Sequence, residues 1–220
     1  TVEAKGLAPI QPWLNKVRAI DKAGLPALLA EADRNGVQHF FGGYVGQEDK
    51  NPDVYIYSMF QGGLGMPDRD FYLKDNERNA KLQAAYLKHV ENILVLAGEK
   101  DAAARAKAIY DFEKQIAAIH WDKNDSSDAT KVYNKLTLAE LTKAAPGFDW
   151  TTFIRGVGVK EDALLVAQPS AFTGEAKLIA GAPIGVVRDL LLVRSLDSFA
   201  DVLPDAVAQE SFSFYSTALS

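Results

Sequence analysis

Cysteine is absent from this 220-residue chain, which excludes disulfides, thiolate metal sites and a cysteine nucleophile together. Histidine is scarce: His39, His89 and His120 are the only three. Their spacing cannot make the helix of a zincin, which sets two histidines at i and i+4 on one face beside a glutamate base. A basic excess is also missing. Lys and Arg number 24 against 29 Asp and Glu, for a formal net charge of -5, so the cationic face that a phosphate backbone requires is not available and nucleic acid is not an expected partner. No apolar run approaches the roughly 20 residues of a membrane span. Thr1–Ile10 lacks the charged start and apolar stretch of a secretory signal. Gly156 and Gly158 lack the third glycine and the βαβ setting of a dinucleotide loop, and nucleophile elbows and Walker loops are absent.

What is present is ordinary for a globular protein: 48% hydrophobic and 24% charged residues, with length enough to bury a sizeable core. Helical spacing recurs along most of the chain. Trp13, Leu14, Val17 and Ile20 predict a short helix, and Leu25, Leu28 and Leu29 a second over 23–34, closed by Asn35-Gly36. Leu82, Tyr86, Val90, Ile93 and Leu94 mark a helix over 76–97 capped by Asp75, and Asp101 caps the next, with Ala106, Ile109, Phe112, Ile116 and Ile119 inside. Thr137 and Glu140 form a capping box. Asp149 starts a helix through Trp150, Phe153 and Ile154, and further helices are expected over 173–180, 184–197 and 204–219. His39–Val45 and Val54–Phe60, rich in aromatic and β-branched residues, predict a β-hairpin, read as the only substantial sheet. Leu164–Ala167 reads as a short extended piece. No repeat, low-complexity tract or linker interrupts the pattern, so the expectation is a mainly α, multi-helix domain over 1–220 with one small hairpin.

Between hairpin and long helix lies Gln61-Gly62-Gly63-Leu64-Gly65-Met66-Pro67-Asp68-Arg69-Asp70-Phe71-Tyr72-Leu73. Gly63 and Gly65 permit positive φ or close backbone approach, and Pro67 fixes φ. Asp68 and Asp70 flank Arg69, offering either a carboxylate–guanidinium pair or Asx-type caps, and Leu64, Phe71, Tyr72 and Leu73 offer apolar anchors. The chemistry is that of an ordered structural connector, with no nucleophile, base or metal cluster. Elsewhere, His89 reads as a surface-helix residue, His120 as a structural residue whose imidazolium would suit a helix C-terminus, and His39 as a partly buried strand residue. The pairs Tyr55/Tyr57 and Phe212/Phe214 read as core packing.

The connector resembles the Q-x-G-L-G-L-P-x-R-D-Y-Y segment of the neprilysin/endothelin-converting-enzyme family of zinc metallopeptidases. Three other stretches resemble that family in the right order: Asp49-Lys50-Asn51; Tyr133-Asn134-Lys135-Leu136-Thr137-Leu138-Ala139-Glu140-Leu141 followed by Phe148-Asp149-Trp150; and Phe212-Ser213-Phe214-Tyr215. They span about Leu25 to Ser220. The resemblance implies a parent endopeptidase, in which a zinc-bound water activated by the glutamate of the histidine motif attacks oligopeptides. This chain would be part of its helical lid and chamber wall. The family's histidine motif, its third zinc ligand and its substrate-gripping N-A-[FY] have no counterpart; Asn79-Ala80-Lys81 lacks the aromatic. No catalytic, cofactor or metal residue is therefore expected here, zinc is expected in a missing catalytic part, and the chain reads as an excised segment whose partners are the rest of its polypeptide and oligopeptide substrates. Absence of cysteine fits a bacterial member, and the family implies a periplasmic or secreted location. A helical binding module without hydrolytic role is the alternative.

Overall fold

A computed structural model describes residues 1–219; Ser220, where the resembling range ends, lies outside the described residues. Twelve α-helices pack around one small mixed sheet among the described residues. The first three helices are α1 (Val2–Lys5), α2 (Gln11–Ala19) and α3 (Leu25–Arg34). Gly36, at φ 75°, turns the chain out of α3, where only glycine takes the left-handed region without strain.

The hairpin follows as β1 (Phe41–Glu48) and β2 (Asn51–Gln61), antiparallel from Phe41 opposite Gln61 to Glu48 opposite Asn51. Glu48 secures the turn by accepting the Lys50 N–H at 2.8 Å and the Tyr133 hydroxyl at 2.8 Å. The sheet does not stop there. The extended piece after Lys160 is β4 (Ala163–Val166), parallel to β2, and β3 (Lys135–Thr137) pairs antiparallel with β4, giving the order β1-β2-β4-β3. Three-residue β3 carries too little alternation to stand out from its sequence.

Past the connector come α4 (Asp70–Leu73), α5 (Glu77–Leu96) and α6 (Ala102–Ile119). Asn76, rather than Asp75, caps α5, its Oδ1 accepting the Asn79 N–H at 2.8 Å. Asp101 occupies the N-cap position of α6 but sits at φ 54° and makes no side-chain cap bond. Short α7 (Lys123–Ser126) precedes β3, and α8 (Leu138–Ala144) opens with the expected capping box: Thr137 Oγ1 accepts the Glu140 N–H and Glu140 accepts the Thr137 N–H, both at 3.1 Å. Asp149 caps α9 (Trp150–Gly156), and a Cβ on Gly156 would stand 2.6 Å from that of Ala30, so α9 and α3 approach as closely as glycine permits.

The remaining helices are α10 (Pro169–Gly181), α11 (Ile184–Ser198) and α12 (Asp205–Phe212), the last running into a π-helical turn at Ser213–Ala218. Helix α11 is the central post, against α2, α5 and α6. Its Leu190, Leu191, Leu192 and Val193 are all 1% exposed or less, as three successive leucines require when neighbours cover more than one side. A second nucleus is aromatic: Phe41 stacks on Phe172 at 5.4 Å and meets Trp150 at 4.7 Å, tying the start of β1 to α9 and α10.

Candidate functional site

The connector is held from inside by a buried ion pair. Glu113 of α6 is 0% exposed and Arg194 of α11 is 2% exposed, with Nη2 donating to Glu113 Oε1 at 2.8 Å. Tyr86 of α5 donates its hydroxyl to Glu113 Oε2 at 2.7 Å, and Tyr72 of α4 donates to Oε1 at 2.8 Å. The Tyr72 oxygen in turn accepts the N–H groups of Gly65 and Met66, each at 3.0 Å, while the Gly65 N–H also reaches Glu113 at 2.6 Å. Backbone donors of the loop thus end on a carboxylate buried between three helices, which satisfies them without water. A Cβ on Gly65 would lie 1.9 Å from the Tyr86 oxygen, so the loop reaches this cluster only because residue 65 has no side chain. Burial pushes the Tyr72 and Tyr86 hydroxyls well up from their usual range, with Glu113 adding to it; both remain donors. Arg194 is held up by Glu113 against the opposing effect of its own burial.

Gly63, at φ 98°, is required on two counts: the left-handed backbone, and a Cβ that would fall 2.5 Å from Glu175 Oε1. Leu64 packs half-buried on the core and Met66 is buried beside it. Pro67 is exposed where the loop turns, and Tyr72 is buried at 1% exposure, whereas Phe71 is half-buried. Of the two local options for the acids, the Asx cap is the one that forms: Asp68 Oδ1 accepts the Asp70 N–H at 2.8 Å. Asp68 also faces Lys123 at 3.7 Å, and Asp70 pairs with Lys74 at 3.1 Å. Arg69 therefore bridges neither neighbour. Its carbonyl accepts the Tyr72 and Leu73 N–H groups at 3.0 and 3.1 Å, but its guanidinium makes no hydrogen bond or ion pair with any described residue, and Nε is buried without a partner.

Beside the connector opens a cavity of about 700 Å³, walled by Phe41, Gly42 and Gly43 of β1, by Leu64 and Arg69, and by Trp121 after α6. His39 and His120 stand in its walls. His39 is 6% exposed just before β1, with Nε2 at 2.9 Å from Asp33 and Nδ1 accepting the Phe41 N–H. His120 donates Nε2–H to the Gly62 carbonyl at 2.8 Å; burial drives its pKa down to about 4, so the imidazole is neutral and not the dipole-favoured cation expected at the end of α6. Behind it Glu175, 0% exposed, has no hydrogen-bond partner on either oxygen among the described residues and lies 3.7 Å from His120. Burial holds this carboxyl well above its usual range.

His89 departs furthest from its sequence reading. It is 1% exposed, not a surface residue, with Nε2 at 3.0 Å from Asp197 and Nδ1 at 3.0 Å from Glu210, and it stacks on Phe214 at 5.1 Å. Burial alone would lower its pKa, but the two carboxylates raise it. The aromatic pairs divide: Tyr57 and Phe214 are buried as expected, while Tyr55 and Phe212 are 67% and 65% exposed.

Glu113 and Arg194 were not singled out by the sequence reading. Their signal is a charge where an apolar residue belongs: Glu113 lies in register with Ile109, Phe112 and Ile116 on the inner stripe of α6, and Arg194 follows Leu190–Val193 inside the most buried helix.

His39, His89 and His120 each hydrogen-bond protein groups through ring nitrogens, and among the described residues no group of three or more His, Asp or Glu side chains is placed to hold a metal ion. No helix among the described residues is long and apolar enough to cross a membrane.

The model of Peptidase family M13 matches residues 1–220. Endothelin-converting enzyme 1 of Homo sapiens is 34% identical over 121 residues, which cover 54% of this chain and 16% of that protein. Neprilysin-3 of Drosophila melanogaster is 32% identical over 113 residues, covering 50% of this chain and 14% of that protein. Among solved structures, zinc metalloprotease Zmp1 of Mycobacterium tuberculosis with an inhibitor aligns at a TM-score of 0.91 and 31% identity over 97% of this chain. PepO from Lactobacillus rhamnosis aligns at 0.78 and 17% identity, a likeness of fold alone. The chain spans about a third of each structure, 33% of Zmp1 and 34% of PepO. The family match over the whole chain, with the connector and capping box in place, makes this chain a member of peptidase family M13, a family of zinc metallopeptidases.

Proposed function

We propose that this chain is the non-catalytic, helical part of a zinc endopeptidase that cleaves oligopeptides outside the cytoplasm, and that it supplies wall and rigidity to a peptide chamber. The observation that carries the reading is the fate of its titratable groups. Each histidine and the central Glu113 are engaged in bonds that hold neighbouring elements together, and no constellation of nucleophile, base and oxyanion donor stands out among the described residues. The zinc and its ligands would belong to a further part of the same polypeptide, packed against these helices. The one-third share of the solved relatives that this chain spans supports that division.

The test is a cleavage assay with an internally quenched apolar oligopeptide and added zinc. The purified chain should give the buffer rate, and a longer polypeptide carrying the rest of the protein should give chelator-sensitive cleavage. Stoichiometric zinc on the chain itself, or chelator-sensitive activity that survives repurification, would overturn the non-catalytic role.

A further inference from the structure

The Arg69 side chain lines the cavity beside the connector as a cation that no acid among the described residues pairs with. The acids around it are engaged elsewhere: Asp33 with His39, Asp68 with the Asp70 amide and Lys123, and Asp122 as the cap of α7, accepting the Asp125 N–H. His120 contributes no negative charge, and Lys123, with 80% of its side chain exposed, adds a second cation at the rim. A guanidinium in this state is complementary to a carboxylate, which it can meet with a pair of parallel donors.

The same cavity takes in the start of β1, at Phe41, Gly42 and Gly43. Strand β1 is the outermost strand, paired only with β2, so its outer backbone groups have no strand partner among the described residues. Edges of this kind are ordinarily blunted by proline, lysine or an inward charge. From Phe41 to Gly46 this strand reads Phe-Gly-Gly-Tyr-Val-Gly and has none of them; the inward charge, Glu48, and a register shift come only at its far end. Gly42 and Gly43 have no side chains because the Phe60 ring and the Tyr57 hydroxyl lie across them, 1.9 and 2.3 Å from where a Cβ would stand. These rings cover one face of the glycines, while along the strand edge the glycine backbone carries no side chain of its own. Tyr44 and Val45 continue the edge at 60% and 63% exposure.

We infer that β1 and this cavity together bind an extended peptide that carries a carboxylate, the peptide backbone adding a strand to the β1 edge and the carboxylate pairing with Arg69. The inference rests on the peptidase reading for the class of ligand, and places on this chain a peptide-binding surface separate from any zinc chemistry. Backbone pairing supplies affinity without regard to sequence, while Arg69 selects for charge.

Calorimetric titration of the 220-residue chain tests it. The probe is an acetylated, amidated hexapeptide of valine and threonine with one central glutamate, compared with its glutamine counterpart. The glutamate peptide should bind about tenfold more tightly or better, the advantage of one charge-assisted contact. Arg69→Gln should erase the difference and Arg69→Lys restore part of it. Neither should shift the thermal midpoint, because Arg69 leaves no partner stranded. N-methylation of alternate peptide amides should weaken both peptides. A glutamine peptide with a free C-terminal carboxylate distinguishes the source: Arg69-dependent binding there assigns the contact to a chain end, and its absence to an acidic side chain. Equal affinity of the glutamate and glutamine peptides, indifference to Arg69→Gln, or no binding would overturn the inference. So would self-association through this edge that the peptide fails to displace. Zinc-dependent cleavage by the longer polypeptide without binding here would leave the peptidase reading standing and this inference refuted. Binding here without any cleavage would do the reverse.

Discussion

Removing the Glu113 charge would leave Arg194 at 2% exposure without a counter-charge, and an amide there would offer the hydroxyls of Tyr72 and Tyr86 one acceptor oxygen in place of two. Deleting one partner of a buried pair costs about 3–5 kcal/mol, so Glu113→Gln is expected to lower unfolding free energy by that order in urea titrations. The effect should be non-additive with Arg194→Met, since the double variant no longer buries an unpaired charge. Glu175 predicts the opposite sign. Its carboxyl is fully buried, has no hydrogen-bond partner among the described residues and is held well above the usual range by burial. Its contribution is therefore intact below the unfolded value near 4.5 and is lost progressively as pH rises. Glu175→Gln should be more stable than the parent at neutral pH, by a margin that grows between pH 5 and 7; equal midpoints across that range would show that the carboxyl ionises freely.

At the scale of elements, His89 fastens the C-terminal helix to the body. It lies on α5, and its two ring nitrogens face Asp197 on α11 and Glu210 on α12. Tyr86, Phe214 and Tyr215 surround the ring. Because the folded pKa is raised, the imidazolium's contribution is fully present below about pH 6.5 and fades as pH climbs through the folded value. His120 works in the other direction: its neutral form is held down to about pH 4, so the fold loses stability as pH drops from 6.5 toward 4. Thermal midpoints measured against pH should lose their alkaline decline in His89→Gln and part of their acid decline in His120→Gln. An unchanged alkaline limb in His89→Gln would mean that the histidine is neutral in the fold. The helices that these residues join were legible from apolar spacing and caps, as the capping box at Thr137 and the cap at Asp149 illustrate. The polar interior was less legible. Periodicity places His89 on a helix but does not report that Asp197 and Glu210, more than 100 residues away in sequence, close over it. The widening of the hairpin into a four-stranded sheet escaped for the same reason, since β4 meets β2 only through tertiary contact.

For the molecule as a whole, the connector is where long-range contacts converge. Helices α4, α5, α6 and α11 each send one side chain, Tyr72, Tyr86, Glu113 and Arg194, to a single point, and the loop's amides end there. The loop's glycines, proline and anchoring tyrosine could be read from sequence as an ordered connector, but not what they are ordered against. Of the two local options at Asp68-Arg69-Asp70 the Asx cap forms and the ion pair does not, and the guanidinium–carboxylate pair that holds the loop is the distant one between Glu113 and Arg194. This stretch is a scaffold locked to the core by that cluster and not a mobile, ligand-gated loop. Native-state hydrogen exchange at the Gly65 and Met66 amides tests that most directly. Both should exchange as slowly as the buried amides of α11, and in Tyr72→Phe, which removes their shared acceptor, Met66 should speed up well beyond the rest of the chain and Gly65, still bonded to Glu113, should speed up less. Exchange in the parent at the rate of an exposed loop would contradict the account.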